Sequence, residues 1–77
     1  MPKTNLTDQD LAQLENSFTY HSPKGDQPDR YQEIRADAKK LVRTIMECAP
    51  HSRERAIAIT QIELGVAMAN KAIACNE

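Results

Sequence analysis

The chain's three aromatic residues, Phe18, Tyr20 and Tyr31, lie within fourteen consecutive positions. Phe18 and Tyr20 open the segment 18–27, which reads Phe-Thr-Tyr-His-Ser-Pro-Lys-Gly-Asp-Gln. Its proline and glycine predict a turn, and its polar side chains supply hydrogen-bond donors beside the rings. Small proteins usually keep aromatic residues for the core, because each can bury about 150–250 Å². Two of them in a polar loop indicate a lid or clamp for a flat ligand that accepts hydrogen bonds.

A row of cations follows the aromatic loop. Arg35, Lys39 and Arg43 are spaced four residues apart, so on a helix they line up along one edge, beside an apolar seam. Guanidinium forks and ammonium groups bind phosphate oxygens, and Tyr20 could stack on a base, which is worth about 1–3 kcal/mol. The alternative is a solvated helix surface with ordinary ion pairs. Together, the ring of Tyr20 and the row of three cations favour a compact anionic ligand over a long anionic polymer.

The remaining candidate residues each have two readings. His21 could bond to its own backbone or donate to a ligand, and Lys24 could be solvated or contact a phosphate. For Phe18 we predict a core position that joins the first helix to the rest of the fold. We predict that Tyr31 is also in the core, with its hydroxyl group reaching the surface.

Composition excludes several functional classes. Ten basic and eleven acidic residues give a net charge of −1, whereas binders of DNA or membrane surfaces need a net basic field. No Ser-His-Asp spacing, GxGxxG or P-loop is present, so the chain is predicted not to be an enzyme.

Cys48 and Cys75 are predicted to be reduced thiols. The alternatives are a disulfide, or a metal site with His51 and His21 that lacks the paired spacing of zinc motifs. We therefore expect neither a metal nor a cofactor.

The 77 residues predict one all-α domain. Residues 1–7 are predicted to form a flexible tail. Met1 is not followed by the apolar run that signal peptides carry, so we expect a cytoplasmic protein. Thr7 begins a capping box for a short helix over residues 8–17. The aromatic loop covers residues 18–26, and Asp26 should cap a second helix over residues 27–49. The brief connection at Pro50 leads to a third helix, residues 52–75, which makes an antiparallel hairpin with the second.

Apolar spacing predicts how these helices associate. The second helix carries a heptad seam, formed by Tyr31, Ile34, Ala38, Leu41, Ile45 and Cys48. The third carries one stripe that can pair with it, formed by Ala56, Ile59, Ile62, Val66, Ala69 and Ile73. A second stripe, Ile57, Leu64, Met68 and Cys75, lies about 160° away. One partner helix cannot cover both stripes, so the sequence predicts a homo-oligomer assembled through the third helix.

Several multi-residue motifs resemble one known family. They are the run 18–24 (Phe-Thr-Tyr-His-Ser-Pro-Lys), the pairs at 26–27, 30–31 and 34–35, the run 50–54 (Pro-His-Ser-Arg-Glu), and the ending 69–77. Over residues 18–77 the chain is similar to the phage anti-CBASS cyclic-oligonucleotide sponges. The resemblance implies a hexamer in the host cell cytoplasm that sequesters cyclic dinucleotides, and in many members cyclic trinucleotides at separate sites, without cleaving them. A bacterial antiviral effector then stays inactive.

At the positions that match the family, the resemblance implies that Tyr20 stacks on a nucleobase and that Arg35 holds phosphate. His21, Lys24 and Lys39 are further candidate ligand contacts because they lie near these two residues. Two departures concern the C-terminal half: family members commonly have Arg where this chain has Cys75, and a Trp within the segment 66–69. Because Cys75 stands in place of that Arg, the sequence argues against an intact trinucleotide site. The other functional class that fits the sequence is a small helical protein-interaction module, such as a phage regulator that binds a host protein.

Overall fold

A computed structural model describes residues 5–77, which form three α-helices and no β-strand. They are α1 (Asp8–Phe18), α2 (Gln27–Cys48) and α3 (Arg53–Asn76). This is the all-helical class that the sequence predicted. Of the predicted tail over residues 1–7, the first four residues lie outside the described part of the chain. No helix among residues 5–77 is both long enough and apolar enough to span a membrane.

Local side-chain chemistry fixes where two of the helices begin. At the start of α1, Thr7 Oγ1 accepts from the Asp10 backbone N–H and the Asp10 carboxylate accepts from the Thr7 N–H, both at 3.1 Å. The predicted capping box is therefore confirmed. At the start of α3, Ser52 Oγ accepts from the Arg55 N–H at 3.1 Å, which confirms the second predicted cap. Between α2 and α3 only four residues, 49–52, reverse the chain.

Helices α2 and α3 pack against each other as a hairpin. Half-buried residues of the predicted seam are Tyr31, Ile34, Ala38 and Ile45 on α2, with Val42 beside them, and those of the predicted stripe on α3 are Ile59, Ile62, Val66, Ala69 and Ile73. Leu41 and Cys48, predicted for the seam, are exposed, and so is Ala56 of the predicted α3 stripe. The reason is that α3 alone covers α2, so side chains at the edge of the seam have no second neighbour to bury them.

The hairpin is a single layer of helices. Its thinnest dimension is 13 Å, close to the diameter of one helix with its side chains. The radius of gyration is 17.5 Å, against about 11–12 Å for a compact domain of this length. No apolar side chain among the described residues is fully buried. Stable domains bury a core between two packed layers, so a single copy of this chain leaves its apolar faces open.

Helix α1 adds no second layer. Phe18, predicted to be a core contact, is instead 84% exposed. The contact between α1 and the hairpin uses a polar side chain, Asn16, whose Nδ2 donates to the Cys75 carbonyl at 3.0 Å. At 100° per residue, Asn16 lies opposite the apolar side of α1. The prediction for Phe18 was wrong because α1 attaches to the end of α3 through this polar face.

Candidate functional site

The aromatic loop is fixed at its first end by the C-terminus of α1. The Thr19 backbone N–H donates to the Glu15 carbonyl at 3.0 Å, and His21 Nε2 lies 2.8 Å from the Asn16 carbonyl oxygen. Because a carbonyl can only accept, His21 must carry its proton on Nε2. This bond gives the half-buried His21 an anchoring role at the base of the loop, next to the exposed Tyr20.

The other end of the loop is fixed by Gln27, which is 4% exposed. Its Oε1 accepts from the Lys24 N–H at 3.0 Å, and its own N–H donates to the Lys24 carbonyl at 2.9 Å, which closes the turn 24–27. Gly25 within this turn has φ of +51°, a left-handed conformation that favours glycine. Gln27 Nε2 also donates to the Glu77 carboxylate at 3.2 Å.

Glu77 joins the end of α3 to the start of α2. Arg30 donates from both terminal nitrogens to the two carboxylate oxygens of Glu77, one of these bonds measuring 2.7 Å, and Lys24 Nζ lies 3.5 Å from the Glu77 carbonyl oxygen. Hydrogen bonds from Arg30, and then from Gln27, lower the pKa of Glu77 to about 2. The bond to Glu77 in turn raises the pKa of Arg30. These residues form a C-terminal clamp that holds the loop, α2 and α3 together.

Sequence reasoning missed this clamp. Gln27 and Arg30 are three residues apart and so share a face of α2, but nothing local marks Glu77, fifty residues away, as their partner. Asp26 was predicted to cap α2 with its side chain. It occupies the N-cap position without a side-chain cap bond and instead lies 3.2 Å from Arg30. The strong cation beside it explains the difference, since the clamp draws the carboxylate toward Arg30.

The anchored loop presents the ring of Tyr20 to solvent. Tyr20 is 82% exposed, although Thr19 and His21 bond to α1 and Lys24 bonds to the start of α2. The anchored backbone leaves mainly the side-chain torsions of Tyr20 to be ordered when a base stacks on its open ring, which lowers the entropic cost of binding.

The cationic row of α2 borders an open groove of about 610 Å³ between α2 and α3, which we call the basic groove. Arg35, Lys39 and Arg43 line its α2 side. Its other lining residues are Ala38, Val42, Met46, Ile59, Ile62, Glu63 and Val66. Arg43 pairs with the exposed Glu47 at 2.9 Å, a contact of little energetic weight. Among residues 5–77, neither Arg35 nor Lys39 forms an ion pair.

Within one copy, the five predicted ligand residues therefore fall into two groups. Tyr20, His21 and Lys24 belong to the loop, whereas Arg35 and Lys39 line the basic groove. Arg35 lies eight residues beyond the start of α2, about 12 Å along its axis. Cys48 and Cys75 are both free thiols. In the part of the chain that the structure describes, no group of three or more His, Cys, Asp or Glu residues could hold a metal ion.

Comparison with known proteins adds one finding. A family model described as the Acb2/Tad1 hairpin domain matches residues 10–74, which is most of the chain and includes the loop, all of α2 and all but the last two residues of α3. No curated protein and no solved structure matches.

Proposed function

The chain belongs to the Acb2/Tad1 hairpin family, the family of phage anti-CBASS cyclic-oligonucleotide sponges, and from this premise we propose that it sequesters cyclic dinucleotides without cleaving them. Cyclic trinucleotides are a second candidate class of ligand. Binding would withdraw the messenger from the host's CBASS effector in the host cell cytoplasm, so the effector would stay inactive.

The observation that carries this proposal is the open ring of Tyr20 on a loop anchored at both ends. Nucleobases offer a flat π-face to such a ring, and stacking contributes about 1–3 kcal/mol per base. Among residues 5–77 only Nε2 of His21 makes a hydrogen bond, to Asn16, which leaves Nδ1 available to a ligand. Lys24 lies at the same end of the molecule. The loop can therefore supply a stacking surface and polar contacts to one ligand.

Phosphate binding is assigned to the basic groove. Arg35 and Lys39 are exposed cations without an ion-pair partner among the described residues of one copy, so a phosphodiester would not have to displace a carboxylate of the same chain. Arg35 offers a forked pair of donors, and Lys39 a compact charge. In this assignment the two phosphates of a cyclic dinucleotide are the anions that the row recognises.

We further propose that copies of the chain complete each site by assembling. Within one copy the loop precedes α2 and Arg35 lies about 12 Å beyond the start of that helix, so assembly would let a neighbouring chain bring its own loop to the groove. The exposed second stripe of α3 supports self-association, with Ile57, Leu64 and Met68 at 43%, 54% and 58% exposure. Full burial of an exposed side chain of this size is worth about 1.5–3 kcal/mol, so covering the exposed half of each would stabilise an interface by roughly 1 kcal/mol. The family resemblance implies that the assembly is a hexamer.

Calorimetric titration with a cyclic dinucleotide tests the function, with the linear dinucleotide of the same bases as control. We expect saturable binding of the cyclic ligand and markedly weaker binding of the linear one. The bound ligand should be recovered chemically intact when the protein is denatured afterwards. Recovery of a linear or hydrolysed product would show an enzyme instead. Absence of binding would favour the protein-interaction module.

A further inference from the structure

Helix α1 exposes an apolar stripe that its own hairpin does not cover. Leu11, Leu14 and Phe18 are 45%, 50% and 84% exposed. They fall within one arc of about 60° on the helix, whereas Asn16, which bonds to Cys75, lies on the opposite face. The structure thus attaches α1 to its own chain by the polar face and turns the apolar face outward.

The basic groove matches this stripe in length and in polarity. Helix α1 has eleven residues, about 16 Å at 1.5 Å per residue, and the groove runs along α2 from Arg35 to Met46, also about 16 Å. The groove floor is aliphatic, formed by Val42, Ile59 and their neighbours. A short amphipathic helix lying in an apolar groove is a recurrent mode of recognition.

The charges on the two surfaces are complementary. Helix α1 carries Asp8, Asp10 and Glu15 and no basic residue. At 100° per residue, Asp10 flanks the apolar stripe on one side, and Asp8 and Glu15 flank it on the other. The groove carries three cations, Arg35, Lys39 and Arg43, against the single carboxylate of Glu63. A helix with acidic flanks is therefore the occupant that its rim favours.

We propose that α1 of one copy docks in the basic groove of a second copy, with its apolar stripe on the groove floor and the acidic flank that carries Asp8 and Glu15 along the cationic row of α2. The chain's own α1 is held away from this position by the Asn16 bond to Cys75. Cys75 lies thirteen residues beyond Ile62, near the middle of the groove, which is about 20 Å along α3.

The docking rests on the proposed self-assembly and deepens it by naming the two surfaces that meet, and it needs no ligand. It also leaves the second stripe of α3 free for another contact, so each chain would have two different surfaces for assembly. Tyr20 lies only two residues beyond Phe18, and the docked helix would therefore bring the partner's loop to the groove. Arg35, at one end of the cationic row, would be the cation nearest to that loop if α1 runs antiparallel to α2.

The first test compares Leu14→Glu with Gln13→Glu by sedimentation and native mass spectrometry, without nucleotide. Both variants add one negative charge to α1, but only Leu14 lies on the proposed docking face. We expect Leu14→Glu to raise the dissociation constant of the assembly by at least roughly tenfold, the loss expected for one buried leucine. Gln13→Glu should keep the wild-type mass. Circular dichroism checks that both variants keep their helices.

The second test reverses one charge on each of the two proposed docking surfaces, the acidic flank of α1 and the cationic row of α2. Glu15→Lys and Lys39→Glu should each weaken the assembly, and the double variant should restore it, a result that misfolding cannot produce. The proposal is overturned if the wild-type protein is monomeric at micromolar concentration. It also fails if Leu14→Glu and Gln13→Glu assemble alike, or if the double variant is no better than the single ones. Failure here with intact cyclic-dinucleotide binding would reject the docking and leave the proposed function standing.

Discussion

Replacing Tyr20 with alanine removes the ring that we assign to base stacking and leaves the anchors of its loop in place. Those anchors are the His21 bond to Asn16 and the two bonds between Lys24 and Gln27. Tyr20 is 82% exposed, so its own contribution to folding should lie within about 0.5 kcal/mol. The substitution therefore separates recognition from stability better than a substitution at a buried residue would.

The expected loss of affinity follows from the stacking energy. Alanine should weaken binding of a cyclic dinucleotide by about 1–3 kcal/mol for each base that stacks on the ring, which corresponds to roughly a five- to 150-fold higher Kd. Tyr20→Phe keeps the ring and is the matched control, with a Kd close to that of the wild type. Calorimetry gives both values, and thermal denaturation without ligand checks that the two variants are equally stable.

Three results would refute the reasoning. Wild-type affinity in Tyr20→Ala would mean that the open ring takes no part in recognition. Equal losses in the alanine and phenylalanine variants would mean that the hydroxyl group, rather than stacking, makes the contact. A fall in Tm with no change in Kd would assign Tyr20 a structural role, which its exposure argues against.

Three further predictions concern assembly and folding. Met68→Glu should dissociate the oligomer, because a charge would enter an apolar interface at a cost of several kcal/mol; an unchanged elution volume in size-exclusion chromatography would contradict this. Acidification should release the C-terminal clamp: the pKa of Glu77 is lowered from 4.5 to about 2 by Arg30, so the stabilisation is complete above about pH 4.5 and is lost as the pH falls through 2. NMR shifts of the Arg30 guanidinium should follow that titration in the wild type and show no such step in Glu77→Gln. Ser52→Ala should lower the stability of the hairpin by about 1 kcal/mol in urea denaturation, because it removes the acceptor for the Arg55 N–H; Ser52→Thr, which keeps a hydroxyl acceptor, should lose less.

Local patterns predicted the secondary structure because their physical causes are local. The Thr7 capping box and the Ser52 cap involve residues three apart, and the apolar spacing of α2 and α3 reflects the helical repeat. The arrangement of the cations is also local. Arg35 and Lys39 share one edge of α2 through a four-residue spacing that any helix imposes.

Contacts between distant segments could not be inferred in this way. The Glu77 carboxylate reaches Arg30 across forty-seven positions, and Asn16 reaches Cys75 across fifty-nine. The second of these contacts decides where α1 lies and therefore why Phe18 is exposed. The sequence predicted Phe18 in a core because aromatic residues usually bury their area, but a fold one helix thick has no interior to receive it.

By itself, the sequence determined three helices, the hairpin, the polar aromatic loop and a doubly apolar last helix, since each depends on residue types within a few turns of one another. The tertiary structure alone decided that the loop is anchored at both ends by Asn16 and Gln27, that the cationic row borders an apolar groove, and that α1 faces outward. The physical reason is that these features depend on which surfaces meet when a chain of only 77 residues folds into one layer. Helix α2 meets α3 through apolar side chains, whereas α1 and the loop meet the end of α3 through hydrogen bonds.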